Sequence, residues 1–187
     1  MDQDTQKYID EQVQKALDSQ LKDRIDDYMK KHGPANRAAI VASKGSMDMA
    51  YPPLILASTC AALDIECKVF FTFYGLDIIN KHKMASLKVP PIANPAMPVP
   101  VPNIVGMLPG MTHMATAMMK SWMGKVNVAS IPELIEACLE SDVTLIGCQM
   151  TMDVMGVEKE DLVDGVETGG AAYFLEWASR CNITLFI

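Results

Sequence analysis

Three short apolar runs constrain the fold most: Ala38-Ala39-Ile40-Val41-Ala42, Cys67-Lys68-Val69-Phe70-Phe71-Thr72-Phe73 and Val143-Thr144-Leu145-Ile146-Gly147. A strand with one wet face alternates apolar with polar residues, whereas near-continuous runs of this length require cover on both faces. Helical patterns fall between and beyond them. Pro52-Pro53 predicts a helix start, with the helix running to about Leu63, and further helices are expected over Leu76–His82 and Met111–Met123. Ser130-Ile131-Pro132-Glu133 reads as an N-cap with Glu three residues on and Pro in the first turn, opening a helix to about Ser141. Gln149–Met155 reads as a short helix, Val163–Glu167 as a strand, Ala171–Arg180 as a helix and Ile183–Ile187 as a final strand. Strands alternating with helices predict a three-layer α/β/α fold with an open, mostly parallel sheet of about five strands. Strand order is left open.

Residues 1–33 contain no Pro, and no Gly before Gly33. Ile9, Val13, Ala16, Leu17, Leu21, Ile25, Tyr28 and Met29 recur at spacings of three and four, which predicts an amphipathic helix with one apolar stripe. Its apolar stripe must pack on something, because most helical stability in proteins comes from burying such a face. Residues 1–35 are therefore expected to form an oligomerisation or docking arm, and 36–187 the α/β domain with a Pro/Met-rich insertion at 84–125. From Val89 to Met119 there is no Asp, Glu, Lys or Arg, and seven of the eleven prolines lie here. The stretch has the length to span a bilayer, but its prolines would leave backbone groups unsatisfied in lipid. Burial in a homo-oligomer, or peripheral membrane contact through 89–119, is the expectation.

A formal charge of −7 with no basic run excludes a nucleic-acid partner, because that binding depends on Lys and Arg neutralising phosphates. Five Cys form no CxxC pair and no Cys/His cluster, so neither a metal site nor a disulfide scaffold is expected. No cofactor is expected either. The polar start MDQDTQKYID is unlike a secretory signal, and unpaired thiols fit a cytoplasmic location.

In open α/β sheets ligands bind outside the carboxyl ends of the strands. That selects Ser43–Met49, Tyr74–Leu76 and Cys148–Met152. Cys148 stands where a buried strand meets a helix start, a place that suits a thiolate because helix N-terminal amides favour an anion. Gln149 and Met150 follow it directly, and Thr151 and Asp153 are candidate caps. Cys60, Cys67, Cys138 and Cys181 read as structural. Ser43, Lys44, Gly45 and Ser46, with Tyr74 and Gly75, could hold a small anion, although neither GxxxxGK[ST] nor GxGxxG is present. His113 is a candidate polar neighbour of Cys148.

The runs Ala42-Ser43-Lys44-Gly45-Ser46-Met47-Asp48-Met49-Ala50-Tyr51-Pro52-Pro53, Phe70-Phe71-Thr72-Phe73-Tyr74-Gly75-Leu76 and Ile146-Gly147-Cys148-Gln149-Met150-Thr151-Met152-Asp153-Val154-Met155-Gly156 resemble the DsrE/DsrF-like family, as does Asp164-Gly165-Val166-Glu167-Thr168-Gly169-Gly170. The resemblance covers about residues 36–187. It implies an oligomeric, sulfurtransferase-like α/β protein that handles sulfane sulfur in the cytoplasm. The family's sulfur-carrying cysteine maps onto Cys148, which would hold a persulfide exchanged with TusA-type carriers or rhodaneses. The alternative is a non-catalytic oligomeric interaction or membrane-edge scaffold.

Overall fold

The computed structural model describes residues 3–32, 35–90 and 110–187, so most of the expected Pro-rich run lies outside the described residues. Two compact units divide the chain, Met1–Ala35 and Asn36–Ile187. The first is the helix α1, Gln3–His32. On it Val13, Leu17, Leu21 and Ile25 recur every four residues, and each is more than half exposed.

From the boundary onward the elements are β1 (Ala35–Ala42), α2 (Met47–Ala62), β2 (Glu66–Phe71), α3 (Met111–Lys125) and α4 (Ile131–Glu140). They continue with β3 (Thr144–Cys148), α5 (Gln149–Met155), β4 (Glu167–Gly169), α6 (Ala171–Ala178) and β5 (Cys181–Phe186). The five strands form one sheet in the order β4-β3-β2-β1-β5. The β1–β2, β2–β3 and β3–β4 pairs are parallel, with Val41 opposite Phe70, Phe70 opposite Ile146, and Cys148 opposite Gly169. At the far edge Ile187 N–H donates to the Val41 carbonyl and Ser43 N–H donates to the Ile187 carbonyl, both at 2.8 Å. That alternation is the parallel ladder pattern.

Both faces of the sheet are covered, which accounts for the unbroken apolar runs. One face carries Ile40, Val69, Phe71 and Leu145 against Leu54 of α2 and Ile135 of α4. The other carries Ala39, Phe70, Ile146 and Cys148 against Phe174 of α6. The Phe70 and Phe174 rings stack with centroids 4.9 Å apart, an arrangement that adds about 0.5–1.5 kcal/mol to the burial itself. Arg37 and Lys68 each lie over the Trp177 ring, at 4.4 and 4.6 Å from its centroid, and fasten the same helix to the strands below.

Three elements differ from the sequence expectation. α2 begins at Met47, five residues before Pro52, because Ser46 is extended and the Ala50 N–H already closes on the Ser46 carbonyl at 2.9 Å. Pro52 and Pro53 thus lie inside the helix rather than at its start. Leu76–His82 is not an α-helix: a 3₁₀ segment covers Phe73–Ile78 instead. The strand expected at Val163–Glu167 begins only at Glu167. An Asp164-Gly165 turn with Gly165 at φ +93° delays it, while Val163 N–H bonds back to the Ile79 carbonyl.

The α4 start matches its expected chemistry. Ser130 N–H and hydroxyl donate to the Glu133 carboxylate at 2.6 and 2.8 Å, and Glu133 N–H returns a bond to the Ser130 oxygen. Those two donations from Ser130 hold the Glu133 carboxyl below the usual carboxylate range. Ser130→Ala should therefore cost about 1 kcal/mol in urea unfolding. Because the folded value is depressed, the contribution of the Glu133 charge is present above the unfolded pKa and disappears as pH falls through the folded value. The stability gap between wild type and Glu133→Gln should accordingly narrow on acidification.

Candidate functional site

Cys148 is both the last residue of β3 and the N-cap of α5. Its φ of −69° and ψ of 111° keep it extended while the next residue turns into the helix. No side chain caps that helix, so the expected capping by Thr151 or Asp153 does not occur. Both residues lie inside the helix, past the cap position, and are engaged elsewhere. The Thr151 hydroxyl lies 3.1 Å from the Thr72 hydroxyl and accepts the Phe73 N–H at 3.3 Å. Asp153 accepts from Gln149 Nε2 at 2.9 Å, one helical turn away. Thr151 therefore ties α5 to the end of β2, and Gly156, at φ +63°, ends the helix.

The Cys148 side chain is 3% exposed and belongs to the apolar cluster of Phe70, Ile146 and Phe174. Directly across the ladder stands Gly169. A Cβ there would come within 2.8 Å of the Tyr173 ring and 3.4 Å of the Ile146 side chain. Gly169 thus leaves a gap beside Cys148 on that face, and Tyr173 of α6 fills it. The Tyr173 hydroxyl donates to Glu167 at 3.1 Å, which holds the ring in place. Tyr173 was not legible as a site residue, because no motif marks it and only the fold brings α6 over β4. Outside this buried thiol, α5 presents Met150 and Val154, 63% and 79% exposed. Together they form an exposed apolar patch whose thioether is flexible.

Of the other cysteines, Cys181 packs against the edge of the cluster that holds Cys148, and Cys60 against the core on the opposite face. Cys67 and Cys138 belong to the core on the opposite face of the sheet. Burial, followed by the neighbouring Cys60 sulfur, pushes the Cys67 thiol far up. Burial pushes Cys138 up to about 11, and its sulfur donates to the Leu54 carbonyl at 3.6 Å. Burial also raises Cys181, whose sulfur contacts the Trp177 carbonyl at 3.5 Å. Raised thiols stay protonated and make poor nucleophiles.

The remaining candidates divide into two groups. Lys44, Gly45, Ser46 and Tyr74 line one cavity of about 500 Å³ together with Asp77, Lys83, Ser86, Leu87 and Lys88. Ser43 and Gly75 instead hold its walls together. The Ser43 hydroxyl donates to the Ile187 carbonyl at 3.0 Å. A Cβ on Gly75 would lie 2.1 Å from the Ala42 carbonyl oxygen, and one on Gly45 would lie 2.2 Å from that of Tyr74. His113 is not found at Cys148: its Nε2 lies 3.4 Å from Lys88 Nζ, because α3 packs on the segment that carries Lys88. Gln149 and Met150 stay with Cys148 on α5. The sequence reading missed Lys83 and Lys88, since they sit in the segment after β2 rather than at a strand end.

The profile of the DsrE/DsrF/DrsH-like family matches residues 34–186. The chain is 50% identical over 157 residues to the sulfur carrier protein DsrE2 of Allochromatium vinosum, covering 81% of this chain and 98% of that protein. It is 32% identical over 161 residues to the uncharacterized protein YrkE of Bacillus subtilis, covering 81% and 96%. In fold it is similar to the crystal structure of the ychN protein from E. coli, with a TM-score of 0.52 at 14% identity, over 81% of this chain and 98% of that one.

Thr151→Val should release α5 from β2 by leaving the Phe73 N–H and the Thr72 hydroxyl without their partner. The expected loss is about 1–3 kcal/mol in chemical denaturation. Thr151→Ser, which keeps the hydroxyl, should recover most of it.

Proposed function

Because the chain belongs to the DsrE/DsrF/DrsH-like family, we propose that it is a sulfane-sulfur carrier that holds a persulfide on Cys148. The similarity to a protein named a sulfur carrier, at 50% identity over 157 residues, carries this reading. The β3–α5 junction supports Cys148 as the carrier, since it is the cysteine at the carboxyl edge of the sheet, where ligands of open α/β sheets gather.

The chemistry is one exchange. The Cys148 thiolate attacks the outer sulfur of a donor R–S–SH. The donor S–S bond breaks, R–S⁻ leaves, and Cys148 retains S–SH. The transferred sulfur keeps its oxidation state, so no external oxidant or reductant is consumed. A thiolate on the acceptor then attacks the same outer sulfur and regenerates the Cys148 thiolate. A second cysteine in this chain is unnecessary, because the partner supplies it. The apolar surroundings of Phe70, Ile146 and Phe174 keep water and oxidants from the carried sulfur. Its release requires that apolar cover to yield to a partner.

Small carriers of the TusA type, or rhodaneses, are the proposed exchange partners, with Met150 and Val154 as the contact patch. We place the protein in the cytoplasm, where a reducing environment keeps its five thiols free. No helix among the described residues is long and apolar enough to cross a membrane. Assembly into a homo-oligomer is supported by the apolar groove between α6 and β5, where Leu175 and Phe186 are 61% and 77% exposed.

Incubation with a persulfidated donor protein of the rhodanese type should add about 32 Da to the intact protein, mapping to the Cys148 peptide. Cys148→Ser should carry no such adduct at that position. An adduct that persists unchanged in Cys148→Ser, or none in wild type, would reject the carrier reading. It would favour an interaction scaffold, in which Cys148→Ser leaves cellular function intact.

A further inference from the structure

The cavity beside the β1–α2 loop has no part in the persulfide chemistry, and none of its lining residues belongs to the Cys148 cluster. Its position nonetheless follows from the sheet. The carboxyl ends of β1 and β2 diverge into two loops, Ser43–Ser46 and Thr72–Gly75, which press together more closely than any side chain would allow. Gly45 lies against the Tyr74 carbonyl, and Gly75 against that of Ala42. This double contact fixes one wall. The segment carrying Lys83 to Lys88 forms the other and is pinned by the Met47 N–H, which donates to the Lys88 carbonyl at 3.0 Å.

The lining is cationic in a protein of net charge −7, with three lysines against a single aspartate. Asp77 is already engaged by Lys83 at 2.7 Å. Lys44 has no carboxylate partner among the described residues, and the one polar contact of the Lys88 ammonium there is His113. Neutral donors converge on the same space. The Ser46 hydroxyl makes no capping bond, and the backbone N–H groups of Gly45 and Ser46 have no acceptor among the described residues. Behind them α2 runs for sixteen residues with its positive end toward the cavity. The lining therefore offers unpaired donors and two uncompensated positive charges, and its one carboxylate is neutralised.

We propose that this cavity binds a small dianionic oxyanion of the thiosulfate, sulfate and phosphate class. Lys44 and Lys88 supply charge, and the Gly45 and Ser46 amides with the Ser46 hydroxyl supply direct hydrogen bonds. A tetrahedral dianion suits this set. It offers several acceptors at once, and bonds from ammonium groups to an anion are the stronger kind. The site is independent of the persulfide reading, because it requires no thiol and no covalent step.

Isothermal titration calorimetry on the full chain can test it with sodium thiosulfate, sodium sulfate and sodium phosphate in separate arms, each against sodium chloride at matched ionic strength. At least one dianion should bind saturably where chloride does not, and the tightest of the three identifies the source. The double variant Lys44→Gln/Lys88→Gln should weaken binding by about tenfold or more. Both lysines are exposed, so the variant should fold, which an unchanged circular dichroism spectrum would verify. Lys125→Gln, at the opposite end of α3 from His113, should bind like wild type. Cys148→Ser should also bind like wild type, which separates a failure here from a failure of the carrier reading. Heats indistinguishable from chloride in all three arms, or undiminished binding in the folded double variant, would overturn the proposal.

Discussion

The burial of β3 between β2 and β4, with apolar cover above and below, is the constraint on which the rest depends. A five-residue strand covered on both faces has no freedom of register, because a slip by one residue would exchange its two faces. Leu145 is thereby committed to the α2–α4 side, and Ile146 and Cys148 to the α6 side. The position of the thiol is thus a consequence of core packing. Its neighbours follow from the same register: Gly169 lies opposite it, and the absence of a side chain there admits Tyr173. α6 is held over this part of the sheet by stacking of Phe174 on Phe70 and by two cations on Trp177. Forces that have nothing to do with sulfur therefore set the thiol's degree of cover.

A second constraint operates at the loop level. α5 has only seven residues and cannot hold itself in place, since short helices gain little from their own hydrogen bonds. Thr151 supplies the anchor, reaching the β2 end through Thr72 and Phe73. Phe73 itself sits at φ +48°, an uncommon conformation for a residue with a side chain. The turn that receives the Thr151 anchor is also the turn whose Tyr74 carbonyl meets Gly45. A single segment at the end of β2 thus supports the thiol helix on one side and the cationic cavity on the other.

The sequence made the layered fold legible because its signals are local. Continuous apolar runs identify strands buried on both sides, and Ser130 with Glu133 identifies a helix start without tertiary help. The position of Cys148 was legible for the same reason, being the junction of a strand and a helix that each declare themselves. Where the reading failed, tertiary contacts overrode local preference. Pro52 and Pro53 resemble a helix start, yet the turn before them is already closed by Ser46. Val163 has the composition of a strand, but its N–H is taken by Ile79 and the Asp164-Gly165 turn follows. His113 was expected at the thiol on chemical grounds alone, and only the packing of α3 places it at Lys88.

The separation of thiol and cations has a consequence for the chemistry. Under the proposed function, a lysine ammonium next to Cys148 would stabilise its thiolate, but it would also attract anionic nucleophiles and bring water to a sulfur held there. The structure instead surrounds Cys148 with Phe70, Ile146 and Phe174, while Lys44 and Lys88 line a different cavity around the β2 turn. An apolar setting slows wasteful attack by small solutes, because each must be desolvated before it reaches the sulfur. It would not bar a protein partner that displaces this apolar cover as it arrives, with Met150 and Val154 exposed on the adjoining helix. Under the proposed function selectivity comes from the cover, which a macromolecular thiol would displace and a small hydrated anion would not. A carrier of the proposed kind, holding a labile sulfur between two proteins, would need that asymmetry more than a fast thiolate.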